Sequence, residues 1–493
     1  MERSSAIHAA TNPLSPLRVL LGTTHTAPYD EKAPAGILET MYSALLGQHL
    51  KVTSSFQLEP GFIKKWVWDY TRNCYELNLR DDIVFHNGRR ATAEDLEFSL
   101  LRGFFSEHRA FYHMYMNNIH GIEAARGHRV FQSGIVTGVR VTGPYTVRLK
   151  VNTPNPTFLF SLADPYFSLV PKEEMNPDYL TWKTVPVGAG PYRVKQGFAG
   201  GVVAIEKVNG NSLGPDSALL YTYDDGADYD VSIINSERLS QEPYEKVYSK
   251  LPASIWSIFF SYAHPLGNNV NFRKAIQVAI NRRELSEGID RYTPAYELLP
   301  NYFWGSADGA ELYNPVKARA LLAAIPPDLL KSPIAASVFS GSQITPERIV
   351  VLERLKKQLA DVGLQFQYTT NNEKFLSQET AAASPLLISG RVTDYADPVV
   401  MFAAFREESP FTFERPLNPD PEFEELYLKA SNAVDQNERV ATVQELSAYV
   451  SQTALAVPML EAKEVFYFNR NKIKSLGDQR LPLSLCLENI ELM

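Results

Sequence analysis

Residues 75–98 read YELNLRDDIVFHNGRRATAEDLEF, and this stretch decides the fold of the first part of the chain. Tyr75, Leu77 and Leu79 alternate with polar residues, which is the pattern of a half-buried strand. The preceding segment 66–70 alternates in the same way. The two segments therefore predict an antiparallel hairpin.

The second half of this stretch predicts a short strand and then a helix. The strand is expected at 83–85, where the residues are apolar. Thr92 is placed to cap the helix, and Asp95 stands three residues later as the acid of a capping box. Leu96 and Leu100 then lie on the inward face. Together with a second predicted hairpin across the Gly143–Pro144 turn, these elements indicate an α+β unit.

Further along the chain the pattern changes to helices followed by strands. Residues 271–282 read NFRKAIQVAINR, and their apolar side chains recur at helical spacing. A second amphipathic helix is predicted at 351–362, ends at Gly363 and leads into an alternating strand at 364–368. Two more helices and an apolar strand are predicted at 423–433, 440–450 and 454–460. This order is typical of an α/β unit.

Composition limits both the domain number and the class of partner. A chain of 493 residues that is 45% hydrophobic and 21% charged should divide into two or three packed units. Its formal charge of -8, and the scatter of its basic residues, argue against a nucleic-acid partner.

No stretch of the sequence approaches the roughly 20 apolar residues of a membrane span, and the first thirty residues lack the apolar core of a signal peptide. Either a leader has been removed or the protein is cytosolic. The two cysteines, Cys74 and Cys486, are interpreted as buried thiols, and neither is placed to carry an N-terminal lipid anchor.

Signatures of catalysis and of metal binding are missing. There is no GxSxG elbow, P-loop or HExxH motif. The run PVGAGPY at 186–192 lacks the third glycine of a dinucleotide site and is interpreted as a rigid turn. The spacings of the histidines at 108–128 suit no helical ligand pair, and the acidic segment 224–230 lacks the closing Glu of a calcium loop. We therefore expect no enzyme activity, no cofactor and no metal site.

Residues 389–405, SGRVTDYADPVVMFAAF, hold the strongest candidate for ligand recognition. Asp397 precedes Pro398 and is interpreted as the cap of a helix whose first residue is that proline. Asp394 has no such local role. A carboxylate at a strand end, beside the aromatic Tyr395, is a candidate receptor for a cation.

Four stretches resemble the family 5 solute-binding proteins, which include the oligopeptide- and dipeptide-binding receptors of ABC importers. They occur in the family's order at 75–98, 186–192, 271–282 and 394–398. Any one of these motifs is weak, whereas four in register are specific. The resemblance covers nearly the whole chain from about Leu17.

The resemblance implies an α/β, two-lobed fold like that of periplasmic binding proteins, of type II and similar to cluster C, with an extra inserted α+β domain. The implied division has a discontinuous lobe I, an inserted domain and a continuous lobe II. Lobe I would comprise 17–41, 152–260 and 461–493, the inserted domain 42–151, and lobe II 261–460.

The resemblance also implies the binding residues. In peptide-binding relatives the aspartate at the position of Asp394 pairs with the α-amino group of the ligand, and the strand before it pairs with the ligand backbone. The early loop forms the opposing wall. Some oligopeptide binders have Trp where this chain has Arg391, whose guanidinium either favours an acidic ligand side chain or lies in solvent. The predicted ligand-binding residues are Thr24, His25, Thr26, Gly390, Arg391, Val392, Asp394 and Tyr395.

These observations predict an extracytoplasmic receptor, located in the periplasm, that closes its lobes around a small ligand and delivers it to the membrane subunits of an ABC importer. We expect a peptide ligand and a monomeric receptor. Two alternatives stay open: a cytosolic ligand-sensing domain of the same fold, or a binder of a non-peptide solute such as a nickel complex, an opine or a sugar.

Overall fold

The computed structural model describes most of the chain between residues 15 and 493. The described ranges are 15–22, 25–30, 35–52, 57–105, 116–126, 128–152, 158–208, 213–234, 237–307, 309–339, 344–370, 377–392, 397–406, 420–433, 435–477, 479 and 485–493.

In chain order the strands other than β12 and β17 in the described part of the chain are β1 (Leu17–Leu20), β2 (Leu50–Val52), β3 (Leu58–Pro60), β4 (Ile63–Asp69), β5 (Cys74–Leu79), β6 (Val139–Gly143), β7 (Thr146–Lys150), β8 (Tyr192–Ala199), β9 (Val202–Lys207), β10 (Ser217–Tyr221), β11 (Val231–Ser232), β13 (Tyr292–Pro294), β14 (Ile334–Val338), β15 (Phe366–Thr370), β16 (Leu386–Val392), β18 (Ile473–Ser475) and β19 (Glu491–Leu492).

Two long strands organise the largest sheet. β12 (Tyr244–Phe260) and β17 (Ala456–Asn469) run antiparallel over most of their length. In the described residues the order of this sheet is β15-β14-β16-β12-β17-β11-β1-β10-β9-β8, and β13 also pairs with β17. The sheet is mixed: β14 is parallel to β15 and β16, and β1 is parallel to β10 and β11, whereas β12, β16 and β17 are antiparallel.

The remaining strands form smaller antiparallel sheets, the largest of which has the order β4-β5-β7-β6.

Helices pack against strands of the two largest sheets. The α-helices in the described part of the chain are α1 (Ala35–Leu45), α2 (Ala93–Leu101), α3 (Phe158–Ser161), α4 (Pro265–Asn268), α5 (Val270–Ala279), α6 (Arg282–Ser286), α7 (Pro315–Ala323), α8 (Pro346–Asp361), α9 (Gln378–Ala383), α10 (Pro421–Asn432) and α11 (Gln436–Thr453). Short 3₁₀ segments lie at Arg102–Phe105, Ile122–Ala125, Pro165–Phe167, Lys172–Glu174, Glu237–Ser240, Pro327–Leu330, Pro398–Phe405 and Leu487–Asn489.

The predicted hairpins and long helices are confirmed, and their ends have the expected chemistry. The carboxylate of Asp95 accepts hydrogen bonds from the backbone N–H and the hydroxyl of Thr92, at 2.8 and 3.2 Å. α8 ends before Gly363, which has a φ of 93° that favours glycine. The strand predicted at 83–85 is wrong: only an isolated bridge between Val84 and Arg90 occurs there.

Two large hydrophobic clusters account for most of the buried apolar side chains. One draws its members from residues 17–231 and 466–490, and the other from 255–462. β12 and β17 contribute to both, and the register between them is irregular from Tyr248 to Ser254, where they leave one cluster for the other. The domain boundaries implied by the resemblance stay a prediction. The one before Tyr42 falls inside α1, and the one after Leu460 falls inside β17.

Cys74 and Cys486 are both buried thiols, as predicted. Among the described helices, none combines the length and the apolar character needed to cross a membrane.

Candidate functional site

The carboxyl end of β16 has one edge that no described strand covers. β12 pairs with β16 along its whole length, up to Val392 opposite Ser254. On the other side β14 pairs only as far as Ile388, whose carbonyl accepts a hydrogen bond of 2.9 Å from the N–H of Phe339. Successive residues of a strand direct their backbone groups to opposite sides. Gly390 and Val392 therefore direct their N–H and C=O groups to the same side as Ile388, beyond the end of β14.

Gly390 leaves space above this edge. A Cβ atom added there would have its nearest neighbour, the Oγ of Ser254, at 3.5 Å, which is an ordinary van der Waals distance. Gly390 lies opposite Trp256, whose indole is buried and stacks on the ring of Tyr292, with the ring centroids 6.3 Å apart. The guanidinium of Arg348, in the first turn of α8, lies 5.9 Å from the centre of the Trp256 ring. The side chain of Arg348 therefore reaches the β12 residue that lies opposite Gly390.

Arg391 is half-buried, and its guanidinium carbon lies 4.6 Å from the centre of the Phe259 ring. Phe259 is on β12, opposite Leu387, so the Arg391 side chain extends back along the strand pair. This cation–π contact places the charge over an aromatic face. The sequence could not predict the contact, because Phe259 is far away in the chain.

Asp397 caps the Pro398–Phe405 segment, as predicted, by accepting a hydrogen bond of 2.9 Å from the N–H of Val399. It has a second role that was not predicted. Its other oxygen accepts a hydrogen bond of 2.7 Å from Arg439 on α11, and both side chains are buried. Burial raises the pKa of the Asp397 carboxyl above its ordinary value, and the Arg439 charge opposes that shift. The guanidinium carbon of Arg439 also lies 4.6 Å from the centre of the Trp304 ring.

The structure describes five of the eight predicted site residues. Gly390, Arg391 and Val392 are consecutive on β16. His25 is exposed and packs on the ring of Tyr223, just after β10, with the ring centroids 4.2 Å apart, and Thr26 beside it is half-buried. Thr24, Asp394 and Tyr395 lie outside the described residues. No group of three or more His, Cys, Asp or Glu side chains within the described residues could hold a metal ion.

Comparison with known proteins identifies the family. Residues 57–413 match the model of the bacterial extracellular solute-binding proteins, family 5 Middle. This range is well over half of the chain. The chain belongs to this family. The family is one of bacterial extracellular solute-binding proteins.

Similar proteins align over nearly their whole length. The probable ABC transporter periplasmic-binding protein SapA of Escherichia coli strain K12 is 23% identical over 465 residues, which cover 87% of this chain and 84% of that protein. Among solved structures, a periplasmic oligopeptide-binding protein of Borrelia burgdorferi has a TM-score of 0.78 and 19% identity, covering 97% of this chain and 99% of that one. DppA from Helicobacter pylori in complex with the peptide STSA has a TM-score of 0.75 and 18% identity, covering 97% and 98%.

These structural likenesses establish the fold, which is the two-lobed fold of the periplasmic binding proteins. The two-lobed architecture that the resemblance implied is therefore confirmed. Sequence reasoning missed three residues near the site: Phe339, just after the end of β14, and Trp256 and Phe259 on β12. Each is apolar and follows or lies within an apolar run, so nothing in the sequence distinguishes it from a core residue.

Proposed function

We propose that this family member is a receptor for short peptides, located outside the cytoplasm in the periplasm, that delivers its ligand to the membrane subunits of an ABC importer. It binds without catalysis. The names of its relatives support this assignment, since SapA is called a periplasmic-binding protein of an ABC transporter and the Borrelia protein is called oligopeptide-binding. They give no support to a cytosolic sensor.

The observation that carries the peptide assignment is the open edge of β16. A peptide in extended conformation pairs its backbone with such an edge whatever its side chains are, which suits a transporter of mixed peptides. Sugars and metal complexes have no ladder of alternating N–H and C=O groups. In this proposal Gly390 and Val392 bind the ligand backbone, and Asp394 and Tyr395 receive its ammonium group.

The opposing wall in this proposal is the early loop, with Thr24, His25 and Thr26. Lobe closure over the ligand removes water, so the pairing of the ammonium with Asp394 strengthens in the lower dielectric. The ligand shifts the equilibrium toward the closed form, because it binds that form better than the open one.

The test compares Gly390→Pro with Gly390→Ala. Proline removes the N–H that points to the open edge, and the fold loses no hydrogen bond to β12 because that N–H faces away from it. Alanine keeps the N–H, and its Cβ fits the available space. We expect Gly390→Pro to weaken the binding of a tripeptide about tenfold or more in calorimetry, since the ligand carbonyl loses its donor. Gly390→Ala should bind within about threefold of the wild type.

Equal affinity of the two variants, with both folded by circular dichroism, would show that the edge does not bind the ligand backbone. Native mass spectrometry of the purified protein provides an independent check on the class of ligand. A retained ligand with the mass of a sugar or a metal complex would contradict the peptide assignment while leaving the solute-binding family intact.

A further inference from the structure

The chain passes between the two large hydrophobic clusters at two places, residues 247–255 of β12 and 462–466 of β17. We call these two segments the hinge. From Tyr248 to Pro252, β12 advances by four residues while the β17 residues paired with it advance by two. Extra residues disrupt the ladder of hydrogen bonds and bend a strand. The strand pair is therefore most easily bent where it joins the two clusters.

One ion pair joins the two sides of the hinge. The Nζ of Lys246, on β12 before the hinge, lies 3.5 Å from the Oε1 of Glu347, in the first turn of α8. Lys246 is opposite Tyr467 of β17, whereas α8 packs its apolar face into the second cluster. Among the described residues no other ion pair spans the hinge. The pair therefore stabilises the arrangement of the lobes in this structure.

Glu464 lies within the hinge and has no such partner. It is half-buried, and its backbone N–H donates to the Oγ of Ser249 at 3.0 Å. Its carboxylate accepts no hydrogen bond and forms no ion pair within the described part of the chain. Burial raises the pKa of the Glu464 carboxyl, and the charges of Arg291 and Arg348 oppose this rise. The carboxylate is thus within electrostatic range of two guanidinium groups but paired with neither.

The two arginines are attached to different parts of the molecule. Arg291 is tied to the hinge itself, because its Nε donates to the carbonyl of Lys463 at 3.0 Å. Arg348 instead belongs to the first turn of α8, next to Glu347. A rotation of the lobes that breaks the ion pair across the hinge therefore also moves Arg348 relative to Glu464. A guanidinium partner would stabilise this half-buried carboxylate, which now lacks a hydrogen bond.

We propose that the hinge is a charge-pair switch: the Lys246–Glu347 pair stabilises the lobe arrangement of this structure, and pairing of Arg348 with Glu464 stabilises the other arrangement. This inference rests on the part of the proposed function in which the lobes open and close, and it does not depend on where a peptide binds. It adds the residues that set the balance between the two forms. That balance sets how much of the intrinsic affinity for a ligand is observed.

The switch is tested by measuring the distance between the lobes. Spin labels are attached at Asp216→Cys and Asp328→Cys, which change exposed residues on opposite sides of the hinge. Cys74→Ala and Cys486→Ala remove the native thiols. Double electron–electron resonance is recorded without ligand and with trialanine at the concentration that half-saturates the wild type. Both arrangements are well populated at that concentration, so a shift in either direction is measurable.

The variants should act in opposite directions. Lys246→Gln and Glu347→Gln should each shift the population away from the distance of this structure, and Glu464→Gln should shift it toward that distance. Each should change the ratio of the two populations by roughly two- to fivefold, because partly exposed ion pairs contribute little. The double variant Lys246→Gln/Glu347→Gln should shift it no further than either single one, since the two residues form one pair. Arg348→Gln should act as Glu464→Gln does.

Lys250→Gln and Glu245→Gln are the matched controls. Both residues are exposed on β12, and neither forms an ion pair with another described residue, so neither change should alter the populations. Unchanged populations in Lys246→Gln and Glu464→Gln, or shifts of the two in the same direction, would overturn the switch.

Failure of the proposed function gives a different result. If saturating trialanine leaves the wild-type distance unchanged, closure around a peptide is wrong, and the variants measured without ligand still test the switch. If trialanine changes the distance and the hinge variants do not, the proposed function stands and only this inference is wrong.

Discussion

Helix α5 lies in a motif by which the chain resembles its family, and the end of β16 lies just before another, yet their polar groups are used in opposite ways. On α5 the guanidinium of Arg273 donates to four backbone carbonyls, those of Ala454, Gly267, Asn268 and Thr453. On β16 the outward backbone groups of Gly390 and Val392 face an edge that no described strand covers.

This difference separates motifs that hold the fold from a motif that is available to a ligand. Gln277 extends the α5 network by donating to the carbonyl of Ser451 at 2.8 Å, and Arg282, just beyond the helix, donates to that of Pro458 at 2.7 Å. Gln277 thus fixes the last turn of α11, and Arg282 fixes the backbone of β17. A polar side chain in a motif is therefore no sign of ligand binding until its partners are known.

The 186–192 motif belongs to the first kind. A Cβ atom at Gly188 would lie 2.4 Å from the carbonyl oxygen of Leu45, and one at Gly190 would lie 2.5 Å from that of Ala44. The N–H of Gly190 donates to the Leu45 carbonyl at 3.0 Å, and the Gly188 carbonyl accepts from the N–H of His86 at 2.8 Å. The glycines thus permit three segments of backbone to meet.

The largest expected difference between the two kinds of motif concerns the two aspartates of the 394–398 segment. Asp397→Ala leaves the buried Arg439 without its partner, so we expect a loss of about 3–5 kcal/mol in the free energy of unfolding, measured in urea. A cap alone would account for about 1 kcal/mol. Affinity for a tripeptide should be nearly unchanged while the protein is folded.

Asp394→Asn is the matched variant for this test. If Asp394 binds the ligand ammonium, Asp394→Asn should lower affinity more than tenfold, corresponding to about 2–5 kcal/mol, and leave the free energy of unfolding nearly unchanged. The reverse pattern, with Asp397→Ala harming binding alone, would remove the distinction between the two kinds of motif.

A second and smaller effect is expected on α5 itself. Arg273→Ala should lower the free energy of unfolding by about 2–4 kcal/mol, because several buried carbonyls lose a charged donor. Lys274→Ala, one residue later on the half-buried face, should change it by less than about 0.5 kcal/mol. Both variants should bind peptide as wild type does. A loss of binding in Arg273→Ala at full stability would mean that this motif also serves the ligand.

Periodicity was enough to predict the elements that bear these groups. The apolar spacing in α5 and α8 and the alternation in β4 and β5 are local, and the structure confirms them. The contacts that decide the roles of the groups are not local. Asp397 and Arg439 are 42 positions apart, and the parallel pairing of β14 with β16 joins strands that are not consecutive. No spacing rule links such positions, so the resemblance implied the architecture and only the structure gave the partners.

The smallest predicted effect concerns a buried histidine that has a hydrogen-bond partner for only one of its two ring nitrogens. It lies between the fully bonded side chains of α5 and the open backbone groups of β16. His49 is fully buried; its Nε2 is 2.5 Å from the carbonyl oxygen of Phe167, and its Nδ1 has no hydrogen-bond partner among the described residues. Burial lowers the pKa of His49 from 6.5 to about 4. Below pH 6.5 the unfolded chain therefore takes up a proton that the native state takes up only near pH 4, so stability falls as the pH falls through this window. At about 1.4 kcal/mol per pH unit, the free energy of unfolding should drop by up to about 2 kcal/mol between pH 7 and pH 5 from this group.

The measurement compares urea unfolding of wild type and His49→Gln at both pH values, because the other titrating groups contribute alike to the two proteins. His128→Gln, which changes an exposed histidine, should keep the wild-type difference between the two pH values. If His49→Gln also kept the wild-type difference between the two pH values, His49 would not be a neutral buried ring. Both of its ring nitrogens would then have to be hydrogen-bonded, as the buried polar groups of α5 are.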